Sequence, residues 1–360
     1  MNDTPVFLSA RSARGLTLIE LMIALTMGTI IVAAIGSVFL ASRQSFRTQE
    51  VVSRMQENAR YAFELMDRDI RMVGFSGYVA CTASECNDVT NTVSPAKWWN
   101  QKLLTLPLMG YENALPADMT AGDRLRGDSF SAIRADKATE FNVSSHTPPT
   151  ITTSINHSFS AGDTLVISGT TNTAVFQASA VTANTITHGE AGISPSNCTS
   201  ELGAIPLPVN CSNAGSAVTF AANSSVFLLS GNTYYIRNNS GGEPALYRER
   251  LQKQTSGGTP TATTVAEELI TGVEDMQITY GIDTSVTPDT DVDSYVTANN
   301  VTNWARVLGV RISLLMVSRQ DEQGITSQFQ TYTYNGTTST AADYRIRKVF
   351  TTTIAIRNRL

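Results

Sequence analysis

The sequence predicts an α+β protein: a long N-terminal α-helix packed on a mostly antiparallel β-sheet, with a β-rich insertion in the head. Three observations carry this. An uncharged apolar run from Leu21 to Ser42 passes, without a proline before Gly74, into a stretch with a single apolar stripe. The middle and end of the chain are rich in Thr, Ser, Val and Ile, in short alternating segments divided by turn residues. No helical pattern alternates with those segments, which argues for antiparallel rather than parallel strands.

The helix is read first. At a rise of about 1.5 Å per residue, the roughly 22 uncharged positions make about 33 Å, enough to cross the hydrocarbon of a bilayer. Beyond Val52 the apolar residues Met55, Ala59, Ala62, Met66, Ile70 and Val73 recur every three or four positions, with Arg54, Glu57, Glu64, Asp67, Arg68 and Arg71 between them. That is the stripe of an amphipathic helix, whose outer half lies on a sheet supplied by later sequence. Glu64 and Arg68 have the favourable i,i+4 spacing, and Gly74 suits a C-terminal cap. Gly28 and Gly36 read as small packing positions against neighbouring helices.

Two details separate the apolar run from a plain anchor. Glu20 lies at its start, where a carboxylate is costly at membrane depth and marks a functional position. Gly15 divides it from a short leader carrying Arg11 and Arg14, which hold the N-terminus in the cytoplasm. A secretory signal has a shorter apolar core followed, not preceded, by its small-residue cleavage site. A simple signal anchor leaves Glu20 unexplained.

The residues Gly15-Leu16-Thr17-Leu18-Ile19-Glu20-Leu21-Met22 resemble the class III processing motif of type IV pilin-like proteins. The resemblance implies cleavage between Gly15 and Leu16 by a prepilin peptidase and methylation of the Leu16 amine. Leu16 takes the place the family usually gives to Phe, an apolar exchange. A positive amine on Leu16 and the Glu20 carboxylate would each be costly alone in hydrocarbon and would neutralise one another between neighbouring subunits. Glu20 is therefore expected to be an assembly contact and not a catalyst.

Further stretches are similar to PilW-type minor pilins: 56–64 with 67–75, Gly162-Asp163 with Val166, Phe176-Gln177 and Thr187-His188, 241–248, Gly272-Val273-Glu274-Asp275-Met276-Gln277, and the ending 347–353 with Arg357-Asn358-Arg359. The implied fold is type IV pilin-like. Its expected parts are a cleaved leader at 1–15, a transmembrane and filament-core helix at 16–42, its amphipathic continuation at 43–75, and a periplasmic head at 76–360 with the insertion at about 139–190.

Within the head, 76–138 reads as irregular, with Trp98-Trp99 assigned to the core. Strands are expected at 163–168, 174–178, 225–229, 233–237, 245–248, 272–282, 306–318 and 344–358, the last two long and central. The four cysteines fall in two close pairs, Cys81 with Cys86 and Cys198 with Cys211. Local disulfides are expected in an oxidising periplasm, although four cysteines allow three connectivities. Bridges this short would stabilise by roughly 2–3 kcal/mol each.

Charged residues are 16% of the chain, the net charge is −5, and no basic block points to nucleic acid. His146, His157 and His188 read as lying in a polar, loop-rich region without a metal-site pattern. Alternating Asp289, Asp291 and Asp293 begin like a calcium loop, but Ser294 and Asn300 stand where an EF-hand needs Gly and Glu. A different calcium loop between Asp283 and Asp293 stays open. No cofactor, metal or enzymatic site is expected.

The resemblance implies a minor pilin that helps form the priming and tip complex of the type IV pilus. Its partners would be other minor pilins, the major pilin, the prepilin peptidase and the inner-membrane assembly platform, with a tip-associated adhesin as a further partner. The chain would sit in the bacterial inner membrane, head in the periplasm, before joining the pilus near its tip. The alternatives are a J-type minor pseudopilin of a type II secretion system and a membrane-anchored periplasmic adhesin or enzyme.

Overall fold

The computed structural model describes residues 17–78, 86–91, 96–120, 126–203, 211, 215–322 and 328–357. The chain forms two compact units, 1–51 and 52–360. One helix, α1, spans Leu18–Arg71. Its first unit, as far as described, is helix alone. Leu21, Leu25, Ile31, Ile35 and Phe39 there are each more than half exposed. Among the described residues α1 is the one helix long and apolar enough to cross a membrane. Gly28 and Gly36 have open space where a side chain would begin, so each leaves a shallow notch on the helix.

In the second unit the predicted stripe is the buried one: Met55, Ala59, Ala62, Met66, Ile70 and Val73 are 4% exposed or less. On the surface of this helix Asp67 pairs with Arg71 at 2.7 Å, and Arg54 pairs with Glu322. Gly74, with φ of 74°, turns the chain after the last helical residue, and its N–H donates to the Ile133 carbonyl at 2.9 Å.

The strands follow in order: β1 (Cys86–Asp88), β2 (Leu108–Tyr111), β3 (Ser129–Thr147), β4 (Thr150–Thr153), β5 (Thr164–Ser168), β6 (Thr173–Gln177), β7 (Ala180–Val181), β8 (Thr185–Thr187) and β9 (Ser225–Asn238). Then come β10 (Pro244–Ser256), β11 (Thr259–Thr271), β12 (Val273–Ile282), β13 (Ser294–Val296), β14 (Val307–Val317), β15 (Thr331–Tyr334), β16 (Thr337–Thr340) and β17 (Arg347–Ala355). The larger sheet has eleven strands, the path β1-β6-β5-β9-β3-β4-β8-β7 with β10 and β11 branching from β9 and β2 from β3. A second sheet runs β13-β12-β14-β17, and β15 pairs with β16. Every pairing is antiparallel except β1 with β6. This is the α+β architecture the sequence predicts.

Three differences are informative. The segments 225–229 and 233–237 form one strand: Gly231 stays in the ladder opposite Ile133, and a side chain there would meet the Trp98 ring at 3.2 Å. The stretch 76–138 contains β1, β2 and the first part of β3, where partners distant in sequence supply the pairing. The β-rich segment is joined to the head sheet through the end of β3, whose Phe141 pairs with Val226 of β9, and through β5, whose Leu165 pairs with Leu228. Trp98 and Trp99 are buried with Ile133, Val166, Phe227 and Leu229.

Candidate functional site

At the start of α1, Thr17 and Glu20 bond reciprocally. Glu20 Oε2 accepts from the Thr17 N–H and the Thr17 hydroxyl, both at 2.9 Å, and the Glu20 N–H donates to Thr17 Oγ1 at 3.3 Å. Leu21 N–H then reaches the Thr17 carbonyl at 3.1 Å, the first helical bond. Thr17-Leu18-Ile19-Glu20 is thus a capping box, which satisfies donors that the end of a helix leaves bare. Sequence reasoning singled out Glu20 and missed Thr17, although Thr followed three residues later by Glu is the signal for this motif. Gly15 and Leu16, the expected processing pair, lie outside the described residues.

The opposite end of α1 carries a second carboxylate in a different setting. Asp69 is buried, and Oδ1 accepts from Arg134 Nε at 3.2 Å and Nη2 at 3.1 Å. Oδ2 accepts from Asn232 Nδ2 and the Tyr234 hydroxyl, each at 2.7 Å. Arg134 on β3 also donates to Asp136 at 3.0 Å. Burial first, and then the Asp69 charge, push the Tyr234 phenol well above its ordinary pKa, so it remains a donor. No pattern marked Asp69, which reads in sequence like its exposed neighbours.

Two of the PilW-like stretches converge on the ending. Glu274 on β12 holds Arg347 on β17, with Nε to Oε2 at 2.7 Å, and Asp343 holds the same guanidinium at 2.6 Å. Burial opposes the charge on Arg347, but these two carboxylates outweigh it and raise its pKa. Glu243, just before β10, pairs with Arg345 at 2.6 Å. Gly272, with φ of 87°, makes the turn between β11 and β12, where a side chain would meet the Val317 carbonyl at 2.8 Å. Glu274 therefore ties β12 to β17 within the second sheet, and Glu243 ties the residues before β17 to the start of β10.

The cysteine reading is answered in part. Cys198 and Cys211 form a disulfide with Cα atoms 4.6 Å apart. Cys86 is also disulfide-bonded, and Cys81 lies outside the described residues.

His157 lies in an irregular, partly exposed stretch as expected, but the other two histidines do not. His146 lies on β3 and His188 just after β8, both buried, with their Nε2 atoms 2.9 Å apart. His146 Nδ1 accepts the Phe220 N–H at 3.1 Å, so its hydrogen is on Nε2 and points at His188. Burial lowers both pKa values to about 4, with the neighbouring imidazole adding to the effect at His188. The sequence could not show this, because strand pairing brings together residues 42 positions apart. Asp88, also buried, accepts the Thr90 N–H at 3.0 Å, and burial raises its pKa to about 7.

Asp283 and Asp293 spend their oxygens on their own loop. Asp283 accepts from the Ser285 N–H at 2.8 Å and the Asp289 N–H at 3.2 Å, and Asp293 from the Thr284 N–H at 2.7 Å. Among the described residues no group of three or more His, Cys, Asp or Glu side chains is arranged to hold a metal ion.

A helix whose first, apolar part opens on a capped glutamate, and a head of antiparallel sheet fastened to the later part of the same helix, define the type IV pilin-like class. The family model for the prokaryotic N-terminal methylation motif matches residues 10–36. That for Type IV Pilus-assembly protein W matches residues 233–358, from within β9 to just past β17. Together these matches support a type IV minor pilin of the PilW family. No curated protein and no solved structure matches it.

Proposed function

We propose that the chain is a structural subunit that helps form the priming and tip complex from which the type IV pilus grows. The observation that carries this is Glu20, the one charge in the otherwise uncharged segment 18–42 of α1, held among the described residues by its own first turn. A carboxylate with local partners can exchange them for the amine of an adjacent subunit without disturbing the head. The exposed apolar side chains of 18–42 suit first lipid and then neighbouring helices, with the notches at Gly28 and Gly36 allowing close approach. On this reading the prepilin peptidase cuts between Gly15 and Leu16 and the leader stays cytoplasmic. The head waits in the periplasm on the assembly platform, and other minor pilins and the major pilin are its partners. No catalytic role is assigned to any side chain.

The deciding experiment counts surface pili in a strain lacking the gene and assays type II export in the same culture. Few pili with normal export is the expected result. Normal pili with failed export would instead assign the chain to a secretion pseudopilus.

A further inference from the structure

We propose that the outer edge of β17 accepts an extended acidic strand from another polypeptide, which adds a fifth strand to the sheet β13-β12-β14-β17. In that sheet β17 bonds only to β14. Its backbone alternates between the two sides. The Ile356 N–H reaches back to Leu308, whereas the N–H and carbonyl of Arg347 turn outward and are both taken by the Gln330 side-chain amide, at 2.6 and 2.8 Å. By the strand period of two, Val349, Thr351, Thr353 and Ala355 also turn their backbone groups outward. All four residues are exposed, and no described group bonds to those atoms. Gln330 shows what the edge accepts: its amide makes the two-bond exchange that a residue of an added strand would make.

Three other edges among the described residues are blunted. β13 and β7 are three and two residues long. β11 is held at Thr261 by Ser194 and carries Glu267 and Glu268 further along. Short strands, charges and covering contacts are the usual protections of a sheet edge, and from Val349 to Ala355 β17 has neither a charge nor a proline.

The edge also specifies its occupant. Between 347 and 357 there is no acidic residue, while Lys348 and Arg357 are exposed at its two ends. An acidic strand complements them. Beside Gln330, the Phe329 ring stacks on Tyr344 with centroids 4.8 Å apart, and both rings and Val349 are exposed. An apolar side chain near one end of the added strand would cover that patch, with main-chain bonds giving affinity and the pocket giving selectivity.

The filament reading supplies only the identity of the donor, a neighbouring subunit. The test measures amide hydrogen exchange of the full-length chain, in detergent by itself and as the complex extracted from membranes of the piliated strain. Val349, Thr351, Thr353 and Ala355 are expected to exchange freely alone and at least about tenfold more slowly in the complex, with Phe350 and Thr352 protected in both. Unchanged exchange at the four outward amides overturns the proposal, even if the chain is recovered in pili. Protection without recovery in pili keeps the edge and sinks the filament reading. Protection of the chain alone, with a dimer mass by light scattering, makes a second copy the occupant and also overturns it. Thr353→Pro, which removes an outward N–H unused by β14, should retain the melting temperature and lose the protection, whereas Thr353→Ala should keep both.

Discussion

The two ends of α1 each carry a carboxylate, and their partners differ in kind. Glu20 bonds to a residue three positions away on the same helix and is otherwise exposed. Asp69 bonds to Arg134, Asn232 and Tyr234, which lie 65 to 165 positions away on β3 and β9. A local partner survives any movement of the helix relative to its surroundings, so Glu20 can be re-partnered. Distant partners hold only while the head is folded, so Asp69 is part of the fold.

The largest effect should come from breaking the second set. Asp69→Ala leaves the buried Arg134 guanidinium without its main counter-charge and is expected to cost about 3–5 kcal/mol in urea unfolding of the head. A cost under about 1 kcal/mol would mean that Asp136 alone compensates Arg134. Glu20→Ala, by contrast, should leave head stability and membrane insertion unchanged and lower recovery in sheared pili at least about tenfold, the equivalent of 1.4 kcal/mol. Normal recovery would remove Glu20 from assembly.

Two smaller predictions concern pH within the head. His146 and His188 have folded pKa values lowered to about 4, so below the unfolded value near 6.5 the unfolded chain binds protons the folded one refuses. Their contribution is complete above about pH 6.5 and is lost as pH falls towards 4. His188→Phe should flatten the decline of melting temperature between those limits; an unaltered slope would assign it to other groups. Asp88 works in the opposite direction. Its folded pKa, raised to about 7, lies above the unfolded value near 3.8, so it costs stability increasingly as pH rises between them. Asp88→Asn keeps an oxygen for Thr90 and should raise the melting temperature at pH 8 and change it little at pH 4; an equal change at both would assign the effect to something other than titration.

The parts legible in sequence are those whose causes are local. The apolar run, the stripe from Met55 to Val73, the turn at Gly74 and the strands around β12, β14 and β17 all follow from periodicity and propensity, but the last strand, expected to be central, lies at the sheet edge, because among the described strands it pairs with β14 alone. The capping partner Thr17 was legible too, from its spacing to Glu20. Asp69, Arg134 and the His146–His188 pair were not. Each reads as an ordinary polar residue until strands far apart in sequence place it in a dry environment. The convergence of Glu243 on Arg345 and of Glu274 on Arg347 was invisible for the same reason, although the stretches containing them were the ones that carried the family resemblance.

By itself the sequence determined that this chain has a membrane-length helix opening on a single carboxylate, and a β-rich head behind it. These are properties of residue order at a spacing of a few positions, which set helix length, cap and strand period directly. Only the tertiary structure decided which carboxylate is fastened and which is free, that the β-rich segment joins the head sheet through β3 and β5, and that β17 ends that second sheet with bare backbone. Those outcomes depend on which strands pair across the chain, and pairing between distant strands is settled by burial and hydrogen-bond satisfaction over the whole sheet.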